Sequence, residues 1–133
     1  MNIMNENANL TINPYFDSCD YANDFEALID IHYIIPAIQE ERFDLWLKAY
    51  DTSCCESEHE QELYDNNYLF ECCCCVQEQD TGYIIKKATS RAARDEAEAE
   101  KILLEMAYEM INDENTISII NNNIDSCMTI MNF

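Results

Sequence analysis

Four consecutive cysteines, Cys72 to Cys75, with Cys54, Cys55 and His59 upstream, are the residues whose types are best suited to chemistry. Cys72 and Cys75 satisfy a Cys-x-x-Cys spacing, and the upstream group could complete the tetrahedral sulfur and nitrogen set that zinc takes. The spacing is degenerate, because every residue of the run is Cys. On a strand, Cys72 and Cys74 would face one side and Cys73 and Cys75 the other. That arrangement neither gathers four thiolates at one metal nor aims neighbours for a disulfide. Reduced thiols acting as small buried hydrophobes are therefore expected, with no cofactor. His32 lies on an apolar stretch and reads as a core or boundary residue, and His59 sits among acids without the partners of a catalytic base. No Gly-rich phosphate loop, Gly-x-Ser-x-Gly elbow or His-Glu-x-x-His pair is present, and Gly82 lacks the Asp/Asn ladder of a calcium loop. The chain is not expected to be an enzyme.

The second pattern is carboxylate. Glu56, Glu58, Glu60 and Glu62 alternate, and Asp65 follows. In an extended segment at roughly 3.3 Å per residue, alternate side chains share a face about 6.6 Å apart, comparable to successive phosphates on a strand. Grooves that hold nucleic acid are lined largely by Lys and Arg, so such a row can compete for them without matching base edges. Glu40, Glu41, Asp44 and Asp51, on the preceding segment, extend the candidate partner-binding set. The whole chain carries 27 acids against seven bases, a formal charge of −20. A magnitude of about 2 to 8 suffices to keep a small domain soluble, and a larger excess repels itself. The excess is uneven. Residues 1–80 hold 18 acids and two bases, whereas 81–133 hold nine and five.

These residues must be positioned by a fold. The length of 133 residues suits one domain, and 48% apolar residues with eight Tyr and five Phe exceed what a disordered acidic tail carries. No apolar run reaches the ~18 residues of a membrane span, and the start from Met1 to Glu6 lacks a signal-peptide pattern, so a cytoplasmic protein is expected. The pattern predicts a loosely ordered arm over 1–22 and a single acidic α+β domain over 23–133, with two N-terminal helices, a central antiparallel hairpin or small sheet, and a long helix packed on it. Asn23 and Glu26, with Phe25, Leu28, Ile29 and His32 behind them, predict a helix over 24–35. Pro36 would open a second over 36–50, with Ile38, Leu45, Trp46 and Ala49 as its apolar stripe. Residues 51–67 fit loop, short helix or edge strand. Tyr68 to Gln77 and Tyr83 to Thr89 read as a hairpin around Gly82. Ser90 would cap a helix over 91–112 with Ala93, Ala97, Leu104, Ala107, Tyr108 and Ile111 on one face, leaving Ile102 and Met106 exposed as a partner or homodimer surface. The segments 116–120 and 124–131, around Asn121, Asn122 and Asn123, suggest a last pair of strands.

In size, charge, aromatic content and lack of catalytic motifs the chain resembles phage-encoded DNA-mimic antirestriction proteins and acidic anti-CRISPR proteins. That resemblance is one of character across the chain; it transfers neither a fold nor a site residue. It implies an inhibitor in the host bacterial cytoplasm that occupies the nucleic-acid-binding surface of a defence or nucleic-acid-processing protein. Tyr83 to Met106 also faintly resembles the end of a double-stranded-RNA-binding domain, but Arg91 and Arg94 are followed by Asp95, Glu96, Glu98 and Glu100, which oppose phosphate binding. The expected partner is a basic nucleic-acid-binding protein or complex, with no direct nucleic acid and no membrane. The alternative is an acidic adaptor or assembly protein that docks on a basic protein without imitation.

Overall fold

The segment Phe43 to Asp51 alternates without a break: Phe43, Leu45, Leu47, Ala49 and Asp51 are buried, and Asp44, Trp46, Lys48 and Tyr50 are half-buried between them. A period of two over nine residues is the signature of a strand with one face on the core. The computed structural model describes residues 12, 14–19, 22–31, 34 and 42–131, with side chains to Asn122. Its strands are β1 (Asp17–Ser18), β2 (Phe25–Asp30), β3 (Phe43–Asp51), β4 (Phe70–Glu78), β5 (Ile84–Lys87) and β6 (Arg91–Ala93). A short 3-10 turn (Thr52–Cys54) leads to helix α1 (Glu58–Asp65), and α2 (Glu96–Ile111) and α3 (Glu114–Met131) follow the sheet. The strands form one antiparallel sheet in the order β1-β2-β3-β4-β5, with β6 on β4 beyond β5.

The two expected N-terminal helices are corrected by this sheet. Phe25 to Asp30, placed in a helix over 24–35, is β2, and the second half of the 36–50 helix is β3. The supposed stripe of Leu45, Trp46 and Ala49 mixes residues from the two faces of a strand. Asn23 and Glu26 form no capping box; Asn23 donates to the Asp51 carboxylate, and Glu26 accepts from Trp46 Nε1. His32, Pro36 and Ile38 lie outside the described residues. Of the arm over 1–22, Asp17–Ser18 joins the sheet edge.

The hairpin of β4 and β5 is present. Its turn carries Gly82 at φ +71°, a left-handed conformation that glycine adopts without a Cβ penalty. Helix α2 covers one face of the sheet. Ala99, Leu103, Met106, Ala107 and Met110 are buried in one cluster with Phe43, Leu45, Leu47, Cys72, Cys74 and Val76. Each fully buried large side chain there contributes roughly 1.5–3 kcal/mol of apolar burial. The expected helix over 91–112 starts later than Ser90 suggests. Residues 91–93 form β6, and Asp95 is the cap, accepting from the Glu98 N–H. Ala107 and Ile111 are on the buried face as expected, but Ala97 is exposed. Met106 is 1% exposed and Ile102 is packed against the core, so these two do not form the open surface anticipated for a dimer.

The strands expected at 116–120 and 124–131 are instead helix α3. Thr116 and Ile120 are buried four residues apart, the spacing of one helical face, and Thr116 Oγ1 donates to Met110 Sδ at 3.4 Å. Among the described residues, no helix is long and apolar enough to cross a membrane.

Candidate functional site

Helix α1 begins where Ser57, in extended backbone, accepts from the Glu60 N–H at 3.1 Å. Glu60 reaches back and accepts from the Glu56 N–H at 2.8 Å, a variant of the reciprocal capping box. Glu58 and Glu60 lie in the first turn, where the helix dipole favours anions. The helix stops at Asn66 and Asn67; Asn67 takes a left-handed φ of +67°. None of its eight residues is buried. A side-chain contact ties it to the sheet, with His59 Nε2 3.0 Å from Glu71 Oε2 on β4.

This helix changes the geometry of the carboxylates. The carboxylates from Glu56 to Glu62 would form one row only in an extended segment; of the three forms expected for 51–67 the short helix is the one present, and residues two apart on a helix point to nearly opposite sides. At about 100° per residue, Glu58, Glu62 and Asp65 share one stripe, with axial steps of about 6 and 4.5 Å. All three are exposed. Glu60 points the other way and lines a cavity over the sheet. Asp65 accepts from Gln61 Nε2 at 2.8 Å, which holds its carboxylate on the helix surface.

The other candidate carboxylates are not gathered with them. Asp51 is buried; it accepts from the Asn23 N–H and Nδ2 and the Ser53 N–H and caps the 3-10 turn. Burial acts to raise its pKa, but the hydrogen bonds from Ser53 and Asn23 outweigh it and hold the carboxyl below its ordinary value. That carboxylate is committed to the fold. Asp44 lies near the other end of β3, where it pairs across the ladder with Asp30. Gln79 Nε2 donates to both, at 2.9 Å to Asp30 and 3.0 Å to Asp44. Burial raises the Asp44 pKa, opposed by the Gln79 hydrogen bond and aided by the Asp30 charge. Tyr50 and Asp44 are six residues apart on β3, about 20 Å, so Asp44 stands well away from the helix end of the sheet. Glu40 and Glu41 lie outside the described residues.

The cysteine run alternates on β4 as strand geometry requires. Cys72 and Cys74 face the core, and burial pushes both thiols up to about 12. Cys73 faces the outer side and is pushed up to about 11, mainly by burial. Among the described residues Cys54, Cys55 and Cys72 to Cys75 form no disulfide, and no group of three or more metal-ligating side chains is assembled there.

The outer face of the sheet is a second feature, which the sequence reading missed. Pairing aligns Leu28, Trp46, Cys75 and Lys87 across four strands, and Lys48 with Cys73 beside them. Lys48 Nζ lies 5.8 Å from the Trp46 ring centre and 4.8 Å from that of Tyr50. The signal was the alternation Asp44, Trp46, Lys48, Tyr50, legible once the segment is read with a period of two. No protein family, curated protein or solved structure matches this chain.

Proposed function

We propose that this chain acts by occupying the basic, nucleic-acid-binding surface of another protein, as an inhibitor whose carboxylates stand where phosphates would. The observation that carries this reading is helix α1. A helix that buries none of its eight residues contributes little to the core, yet it is capped at its start and presents Glu58, Glu62 and Asp65 along one outward stripe. Carboxylates in such an outward row offer a Lys- and Arg-lined groove charge-assisted contacts of the sort that phosphates make. The net charge of −20 supplies attraction over longer range and opposes binding to nucleic acid itself.

The test is retention and displacement. The immobilised chain is exposed to a bacterial lysate at low salt, and bound proteins are eluted with duplex or single-stranded nucleic acid. A cationic nucleic-acid-binding protein that is displaced by nucleic acid and inhibited by the chain supports the proposal. A partner held against any amount of nucleic acid contradicts mimicry and favours an acidic adaptor. A gel shift of duplex by the chain alone contradicts both.

A further inference from the structure

The face of the sheet opposite α2 holds a cavity of about 390 Å³, within the size range of small-molecule pockets. Its wall and floor come from three strands. Trp46, Lys48 and Tyr50 project from β3, Cys75 and Cys73 from β4 opposite Trp46 and Lys48, and Lys87 from β5 opposite Cys75.

The cavity is charge-balanced where the chain as a whole is acidic, because Lys48 and Lys87 share its lining with Glu60 and Glu71. Of the chain's seven Lys and Arg, two line it, and neither makes an ion pair among the described residues. Both carboxylates at its rim accept from neighbours, Glu71 beside His59 and Glu60 from the Glu56 N–H, and a third, Glu26, pairs across the ladder with Lys48 and accepts from Trp46 Nε1. Lys48 pairs across the ladder with Cys73 on the β3 side and Lys87 with Cys75 on the β5 side, so the space above Cys73 and Cys75 lies between two lysines and beside two aromatic rings. Burial first, and then the Glu71 charge, push the Cys73 thiol up, opposed by Lys87 and Lys48. Lys48 is held at those rings by cation–π contact, so an anion drawn to it brings its own substituent alongside Trp46.

We infer that this cavity binds a small planar aromatic molecule carrying one anionic group, a phosphate or a carboxylate, with the ring against Trp46 and the anion between Lys48 and Lys87. A polyanionic strand is disfavoured, because two lysines cannot offset repulsion from a surface of net −20. The site is independent of the carboxylate stripe on α1.

Trp46 is the sole tryptophan of the chain, so its fluorescence reports occupancy directly. The full chain is titrated to ~1 mM with four probes: adenosine monophosphate, naphthalene-2-carboxylate, adenosine and inorganic phosphate. Saturable quenching is expected from adenosine monophosphate, naphthalene-2-carboxylate or both, which identifies the preferred anion, and not from adenosine or phosphate alone. Lys87 is exposed, so Lys87→Gln should keep the fold, checked by circular dichroism, and should weaken binding about tenfold. Lys48→Gln should do the same. Lys101→Gln removes an equal charge from the exposed side of α2 and should leave affinity unchanged. Absence of saturation by both ring-bearing anions, equal binding of adenosine, or an equal loss in the Lys101 variant would overturn the inference.

Discussion

His59 Nε2 lies 3.0 Å from Glu71 Oε2, and this contact fastens α1 to the outer face of β4. The His59 side chain is 61% exposed, so the contact belongs to the surface class, worth about 0–1 kcal/mol. Its importance is positional, because α1 has no buried residue to hold it in place. His59→Ala should change global stability by no more than ~1 kcal/mol while speeding amide exchange across 58–65. Exchange at the wild-type rate would mean that the caps alone hold the helix.

Asp51 and Asp44 should respond to acid in opposite senses. The Asp51 pKa is lowered in the folded state, so it contributes stability above its unfolded value, lost as pH falls through the folded one. Asp51→Asn should cost about 1–3 kcal/mol at neutral pH, a deficit that shrinks in acid. The Asp44 pKa is raised, so its charged form opposes folding above that raised value, and the penalty disappears as pH falls below the unfolded one. Asp44→Asn should be more stable than wild type at neutral pH and equal to it in acid. Urea unfolding at both pH values measures each difference, and a destabilised Asp44→Asn at neutral pH contradicts the assignment.

The thiols should divide by environment. Cys54 is exposed, whereas Cys72, Cys74 and Cys75 are buried and Cys73 is half-buried. Burial holds the Cys72 and Cys74 thiols near 12 and Cys73 near 11, so almost none of the reactive thiolate is present at mildly alkaline pH. Alkylation of the native protein, followed by peptide mass spectrometry, should label Cys54 well before the run from Cys72 to Cys75. Equal rates at Cys54 and Cys72 would show that β4 is open to solvent.

The sequence made some of this legible and hid the rest for identifiable reasons. The β4–β5 hairpin follows from two β-like runs around a single glycine, and α2 from apolar recurrence over its sixteen residues. The strands β2 and β3 were misread because both of their faces carry apolar residues: Leu28 and Trp46 face outward, while Ala27 and Leu45 are buried. In β3 the outward Trp46 and Tyr50 mask in residue type the alternation that its burial shows. In α3 the Asn triplet argues weakly against helix, and burial of Thr116 and Ile120 overrides that propensity. The segment 51–67 fits loop, short helix or edge strand from its polar pattern alone, and Ser57, a favoured capping residue just before Glu58, is the signal that separates the short helix from the others. The outer-face cavity draws on three strands, and its membership depends on pairing register, which no single segment specifies.

Two triple variants test whether the α1 stripe is the contact surface. Glu58→Gln, Glu62→Gln and Asp65→Asn together remove three charges from the stripe while nearly keeping shape. Glu96→Gln, Glu100→Gln and Glu114→Gln remove three from exposed positions on α2 and α3. Charges farther than about 8–10 Å from the partner's basic groups are largely screened at physiological ionic strength, so place should matter more than number. The measurement is affinity for the nucleic-acid-displaceable partner against salt concentration. The α1 variant should bind about tenfold or more weakly, with a shallower salt dependence, and the other variant should stay close to wild type. Equal losses in the two variants, or no loss in the first, would contradict that assignment.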